Sequence, residues 1–580
     1  MTRSTLEENG FFTESSSLLN GTTLEGMSED AVHNDPAVCD TLRGTSLRGS
    51  TLLFARYQEQ HKSQRSIERC HSSGSFSKSE RMAAYFGSGA RSERVAAFLV
   101  HVNHSFFADA KALAEGTIPQ SIVVALVIGI LCGVVCFIYN AILQFLLEFL
   151  WHTLPAMYVI DKWHEAWYVA WIPIMVFSNA ILVGLSVVFL GEPGDLAFTI
   201  GMVHDKAFIP MDHVSPMATA SLFSMLAGGS LGPEAPLVAI CGALGGFVSR
   251  KVFGQRTVNV VRKHTLMGMA GALAAFFGVP LGGSLFALEV NSRFGIEYFE
   301  HMVEAVFCGE VSLIVYRVLS GLPIAPIWDL GAEMTEATPL GMVVGGAIGL
   351  IGAAIAYLFA TFHWRVMDFM GRLNLLENKY AVYRALVGAT IISVLAMLVP
   401  QTAFWGEMEF LPIATMAPSS GLPHIWPPSG LIGFEMDTWW KALIVGCANM
   451  IAISFTVAAG FRGGFIFPFF ATGAAFGRVL GFIFPRLPLQ LATLCMAAGI
   501  NVAITRTSLA SPLILSFLAG EPLALPAILA ASLCSLFATS YMTFIKTQIA
   551  RSDIDHSLYH HKSPTTIVDE FGESDEIDDD

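Results

Sequence analysis

The chain has 580 residues, of which only 14% are charged, and its mean hydropathy is +0.57. So few charges cannot keep the surface of a soluble domain of this size wet, so the sequence predicts a polytopic membrane protein. The formal net charge of −14 says little about partners, because Asp569 to Asp580 alone carries eight acidic residues and no base.

Residues 1–80 are rich in Ser, Thr, Gly and charge, with no sustained apolar periodicity, and read as a disordered segment. They contain no signal-peptide core, and Glu7, Glu8, Glu14 and Glu25 are out of place in an acid-poor organellar presequence. Ten Lys/Arg residues between Arg43 and Arg94 favour a cytosolic N-terminus. "ESSSLL" (Glu14 to Leu19) resembles an acidic dileucine sorting signal. Apolar blocks then follow from about residue 119 to 548, several of them short or broken by Gly and Pro. We divide this region into a first half, 81–330, and a second half, 331–550. The stretch 401–438, with Trp405, Trp426 and five prolines, reads as an ordered extramembrane or interfacial loop. The polar residues 551–580 are too few for a folded domain and form an acidic, disordered, cytosolic tail. The nine cysteines include no CxxC pair; Cys132, Cys136, Cys241, Cys495 and Cys534 lie in apolar stretches and read as small buried hydrophobes. "HSLYHHK" (His556 to Lys562) reads as polar tail, with no second ligand set nearby to make a metal site.

One apolar stretch, "GGSLGPEAPLVAI" (Gly228 to Ile240), holds three glycines, two prolines and one carboxylate, Glu234. An internal match accounts for it. "GPEAPLVAICGALG" (Gly232 to Gly245) aligns without gaps on "GFIFPFFATGAAFG" (Gly464 to Gly477), sharing G-x-x-x-P-x-x-A-x-x-x-A-x-G at an offset of 232 residues. Paired Gly/Pro-interrupted segments at corresponding places are the sequence pointer to repeat transport folds with a site at mid-membrane. A helix that starts inside the membrane leaves its first N–H groups without intrahelical partners. Such a start carries about half a positive charge and is an anion site. Glycine allows close backbone approach there, and proline has no N–H to lose in the first turn. Two such starts facing each other would make an anion-selective constriction without a buried Lys or Arg; among fixed cations the two segments carry only Arg462.

These residues resemble the CLC family of chloride channels and chloride/proton exchangers. "GPEAP" (Gly232 to Pro236) resembles that family's GxEGP element, with Ala235 in place of the second glycine, and "GGFIFP" (Gly463 to Pro468) its GxFxP element. "GEPGDLA" (Gly191 to Ala197) stands where a GSGIP or GPGIP element belongs and departs from it. The resemblance, over about residues 115–550, implies an all-α polytopic fold: an inverted repeat of tilted and broken helices, in a homodimer with one pore per subunit. It implies that Glu234 is the gating glutamate. Gly232, Pro233 and Gly464, with the backbone N–H groups of Phe465 and Ile466, would form the anion site. The position of the usual serine hydroxyl falls at Pro193, or at Gly194 in a shifted register, and Pro193 matches the proline of some nitrate-preferring members. The inner gate position falls at Ile545, with Tyr541 one turn away. The implied partners are chloride or another small monovalent anion, a second copy of the chain and lipid, with no cofactor, metal or nucleic acid. The paired nucleotide-binding CBS domains of some members are not expected.

Exchangers of this family follow the equivalent of Glu289 with a second acid that relays protons; here Val290 stands in that place. The reading is therefore a passive glutamate-gated channel, with Glu289 a structural acid at a helix end rather than a relay. A proton-coupled chloride or nitrate exchanger and a non-conducting accessory subunit are the alternatives. Glu148, Glu304 and Glu310 read as interfacial or inter-helix hydrogen-bonding groups. Both termini are expected in the cytosol, with plasma membrane and endomembrane left open.

Overall fold

Hydrocarbon offers the backbone no partners, so a spanning chain must satisfy its N–H and C=O groups within helices or a closed barrel. This chain uses helices. The computed structural model describes residues 117–160, 168–291, 301–330, 337–415, 417–418, 421–422, 428, 430–542 and 544–548. The expected N-terminal segment 1–80, the tail 551–580, "ESSSLL" and "HSLYHHK" lie outside them. All described residues fall in one compact unit, Ala112–Asp580. Its α-helices run α1 Thr117–Glu148, α2 Tyr168–Leu190, α3 Leu196–Asp205, α4 Val214–Leu226, α5 Glu234–Phe247, α6 Val258–Phe277, α7 Pro280–Glu289 and α8 Met302–Ser320. There follow α9 Pro339–Arg372, α10 Ala381–Leu398, α11 Phe410–Ala414, α12 Trp439–Ala458, α13 Ile466–Ile483, α14 Leu489–Thr505, α15 Ala510–Leu518 and α16 Leu525–Ala538. Among the described residues, seven helical segments are long and apolar enough to cross a membrane. The chain is an integral multi-pass membrane protein.

Local chemistry sets the helix ends. Thr338 caps α9, its Oγ1 accepting the Gly341 N–H at 3.0 Å, and Pro339 opens the first turn. The left-handed residue after α14 is Arg506 (φ 67°), which is not a glycine. Its guanidinium donates to Thr539 Oγ1 at 2.9 Å and to the Thr539 and Met542 carbonyls, and these bonds hold the strained backbone in place.

Packing repeats between the halves. α1, α6 and α8 pack on one another, and so do α9, α14 and α16; α5 lies along α6 as α13 lies along α14; α2 contacts α4 as α10 contacts α12. Each half therefore builds the same cluster, and α7 meets α15 across the join. The small residues of the internal match explain the closest approach. A Cβ on Gly245 would strike the His264 carbonyl of α6, and one on its counterpart Gly477 would meet Thr493 Cα of α14 at 2.5 Å. Helices approach this closely in apolar surroundings only over small residues.

Cys132, Cys136, Cys241 and Cys495 are buried among these helices as expected, and so is Cys308; Cys534 is half-buried. In the stretch 401–438, expected as an ordered extramembrane or interfacial loop, Phe404, Trp405, Glu409 and Phe410 are buried, and α11 packs on α13.

Candidate functional site

Two broken segments meet at the centre. Gly232 and Gly464 form an antiparallel bridge, each N–H donating to the other's carbonyl at 2.7 Å. Two glycines suit this contact because their backbones lie against a side chain, the Glu234 carboxylate. A Cβ on Gly232 would fall on that carboxylate, and one on Gly464 would lie 2.6 Å from its Oε2. The loop before α5 is fixed by further bonds. The Gly229 N–H donates to the Ser224 carbonyl at 3.1 Å and the Phe404 N–H to the Gly228 carbonyl at 3.1 Å, while the Arg462 N–H reaches Ser224 Oγ at 2.9 Å. Both half-helices then start alike. Glu234 opens α5 with Pro236 two residues on, and Ile466 opens α13 with Pro468 two residues on. Proline in the first turn removes an N–H that has no intrahelical acceptor.

The Glu234 side chain is buried. Its Oε1 accepts the Phe467 N–H in the first turn of α13 at 3.3 Å, and its Oε2 has no partner among the described residues. A carboxylate thus sits where the N-terminus of α13 attracts an anion. Phe467 is held by ring contacts with Phe276, Phe277 and Trp328 at 5.7–6.0 Å between centroids. The sequence pointed to the N–H groups of Phe465 and Ile466 as ligands of a bound anion; the donor to the Glu234 carboxylate is the next residue, Phe467.

A cavity of about 390 Å³ reaches this centre. Ala235, Gly463 and Phe465 line it from the two half-helices, Gly194 and Asp195 from the start of α3, and Ile545 and Lys546 from the segment after α16. Ile545 thus stands at the cavity wall. Tyr541 does not: it is fully exposed and contributes nothing to the lining, because it falls in the turn where the chain leaves α16. The one-turn alternative for the inner gate position is corrected accordingly. Gly194 lines the cavity, and Pro193 beside it is tied to a neighbouring ion pair. The Pro193 carbonyl accepts Arg462 Nε at 3.2 Å, and Arg462 is ion-paired with Glu192, which also faces Arg384 at 3.5 Å. Asp195 caps α3, taking the Phe198 N–H on its own Oδ1 at 2.7 Å. An acid therefore already occupies that helix start.

Glu289 is buried and fully engaged. Its Oε1 accepts Ser508 Oγ at 3.2 Å and the Leu509 N–H at 3.0 Å, and its Oε2 accepts the Ala510 N–H at 2.8 Å. It caps α15, which begins at Ala510. Val290 is buried, and its carbonyl accepts Gln548 Nε2 at 3.0 Å. Glu304 pairs with Lys263 Nζ at 3.0 Å, as an inter-helix group.

The family described as "Voltage gated chloride channel" matches residues 200–540, more than half of the chain. The chain belongs to this voltage-gated chloride channel family. Within it, the H(+)/Cl(−) exchange transporter ClcA of Salmonella agona is 27% identical over 375 residues, covering 61% of this chain and 72% of the relative. The chloride/fluoride channel protein of Pseudomonas syringae pv. tomato is 27% identical over 426 residues, 70% of this chain and 83% of the relative. Among solved structures, a slow cyanobacterial Cl−/H+ antiporter superposes with a TM-score of 0.60 at 15% identity, covering 77% of this chain and 99% of the antiporter. A CLC-type fluoride/proton antiporter gives 0.57 at 20% identity, covering 75% and 98%. At these identities the structures establish the fold: the CLC-type inverted repeat of tilted and broken helices.

Proposed function

We propose that this protein conducts chloride or another small monovalent anion passively, through a path that Glu234 closes. The observation that carries this reading is the Glu234 carboxylate on the Phe467 N–H at the bridged starts of α5 and α13. A protein-borne anion there competes with a free one; protonation removes its charge and frees the site. Passive conduction rests on the proton-relay position. Val290 has nothing to titrate, and the neighbouring acid, Glu289, is tied into the cap of α15. A proton arriving from the cavity side finds no carboxylate relay there.

The second reading, a coupled exchanger, is favoured by the names of relatives, of which ClcA is an H(+)/Cl(−) exchange transporter. Reversal potentials in liposomes separate the two. Passive conduction predicts a reversal potential that follows the anion gradient and ignores an imposed proton gradient; movement with the proton gradient overturns it. The protein works as a homodimer in this reading, with one path per subunit and both termini in the cytosol. The mirrored packing of α1–α8 and α9–α16 supports a division near residue 330.

A further inference from the structure

Charge is spread unevenly along this acidic chain. Between Glu234 and Glu289 there is no Asp or Glu, yet Arg250, Lys251, Arg256, Arg262 and Lys263 fall within fourteen consecutive positions. They bracket the turn from α5 to α6. The apolar segment that opens at Glu234 ends at Val252, so Arg250 and Lys251 stand where a span reaches the headgroups. α6 then starts at Val258 with no side-chain cap and no acid in its first turn. Its first N–H groups therefore add partial positive charge to the same turn.

The fold gathers further cations on this surface. The Arg250 guanidinium lies 3.4 Å over the centre of the Phe208 ring, in the linker from α3 to α4. Arg262 donates through Nε to the Val203 carbonyl and through Nη2 to the His204 carbonyl, both at 3.0 Å, bonds that leave its charge uncancelled. These contacts hold the end of α3, with exposed Lys206 just beyond it, against the turn that bears exposed Lys251 and Arg256. Lys263 is neutralised by Glu304, and Asp205 and Asp212 are the exposed acids of the α3–α4 side. Lys206, Arg250, Lys251, Arg256 and Arg262 outnumber them. Apolar side chains stand beside this charge: Phe247 is 38% exposed and Val252 63%. Lys263 also donates to Ser121 Oγ at 3.3 Å, which puts the turn on the face where the chain enters α1. None of these residues lines the 390 Å³ cavity.

We propose that this surface binds an anionic glycerophospholipid of the surrounding leaflet. Its phosphate is held by Lys206, Lys251 and Arg256, and an acyl chain lies along Phe247 and Val252. Basic residues at the end of a span set topology by themselves; here cations from two separate linkers converge beside exposed apolar side chains. Charge complementarity selects the occupant. A zwitterionic lipid brings its own cation to a cationic surface and gains less, and a soluble anion leaves Phe247 and Val252 uncovered. The proposal is independent of what Glu234 does.

Native mass spectrometry of the full-length protein in detergent, titrated with phosphatidylglycerol or with phosphatidylcholine of the same chains, counts the bound lipid. Wild type takes up phosphatidylglycerol at a severalfold lower concentration than phosphatidylcholine. Replacing Lys206, Lys251 and Arg256 together by Gln weakens that uptake by about fivefold per cation removed and leaves phosphatidylcholine uptake unchanged. Lys251→Gln alone loses about fivefold and serves if the triple variant fails to fold. Lys441→Gln, at the start of α12, binds as wild type does. Equal uptake of the two lipids by wild type, or wild-type uptake of phosphatidylglycerol by the Gln variants, overturns the proposal. Displacement of phosphatidylglycerol by millimolar inorganic phosphate at constant ionic strength also overturns it, since the site would then belong to a free anion.

Discussion

At the scale of single residues, the space around Glu234 is set by what is missing from its neighbours. Gly232 and Gly464 have no Cβ, so the carboxylate folds back over the bridge between them. Gly464→Ala places a methyl group against Oε2, and the carboxylate, as the far end of a flexible side chain, is the atom group free to move. The variant therefore loses part of its closed state, with the Ala235 N–H at 3.1 Å yielding by a few tenths of an ångström. Its chloride flux at neutral pH rises severalfold over wild type, which efflux from liposomes measures; an unchanged or lower flux speaks against the carboxylate as plug. Gly232, Glu234 and Gly464 were legible in the sequence because close approach and a membrane-embedded helix start demand unusual residues. Phe467, the donor to Glu234, was not among the residues the sequence singled out, since an N–H carries no side-chain signature.

Helix ends decide what happens at the scale of elements. Glu289 reads in sequence as a structural acid, and in the structure two N–H groups and a hydroxyl at the start of α15 converge on it. Glu289→Ala leaves these donors buried and unpaired, at a cost of about 1–3 kcal/mol per orphaned group. Thermal unfolding in detergent should occur at lower temperature, with the reversal potential unchanged; a loss of proton coupling instead would make Glu289 a relay. The segment ahead of α11 carries a pH dependence of its own. Glu409 binds its proton more tightly folded than unfolded, so its contribution to stability is complete at acidic pH and is lost as pH rises through about 8. Amide exchange over residues 403–414, corrected for intrinsic rates, should show more opening at about pH 9 than at about pH 6. Glu409→Gln should flatten that difference.

For the whole molecule, the internal match at an offset of 232 residues was the most informative line of sequence, and its glycines explain why. Gly245 and Gly477 let α5 and α13 lie against α6 and α14, so the same small-residue pattern serves the same packing twice. The repeat left a trace where close packing or a helix start demands glycine, alanine or proline. Elsewhere apolar residues are interchangeable against lipid or one another, which is why the block boundaries and the buried part of 401–438 were not legible. Tyr541 illustrates the limit: one helical turn from Ile545 in sequence, it is exposed, while Ile545 lines the cavity. These halves converge on one carboxylate, so the account stands or falls with Glu234. The most direct test is chloride flux through purified Glu234→Gln protein in liposomes as a function of pH and voltage. We predict flux that persists and is nearly independent of both. Flux with the wild-type dependence on pH and voltage would contradict the account.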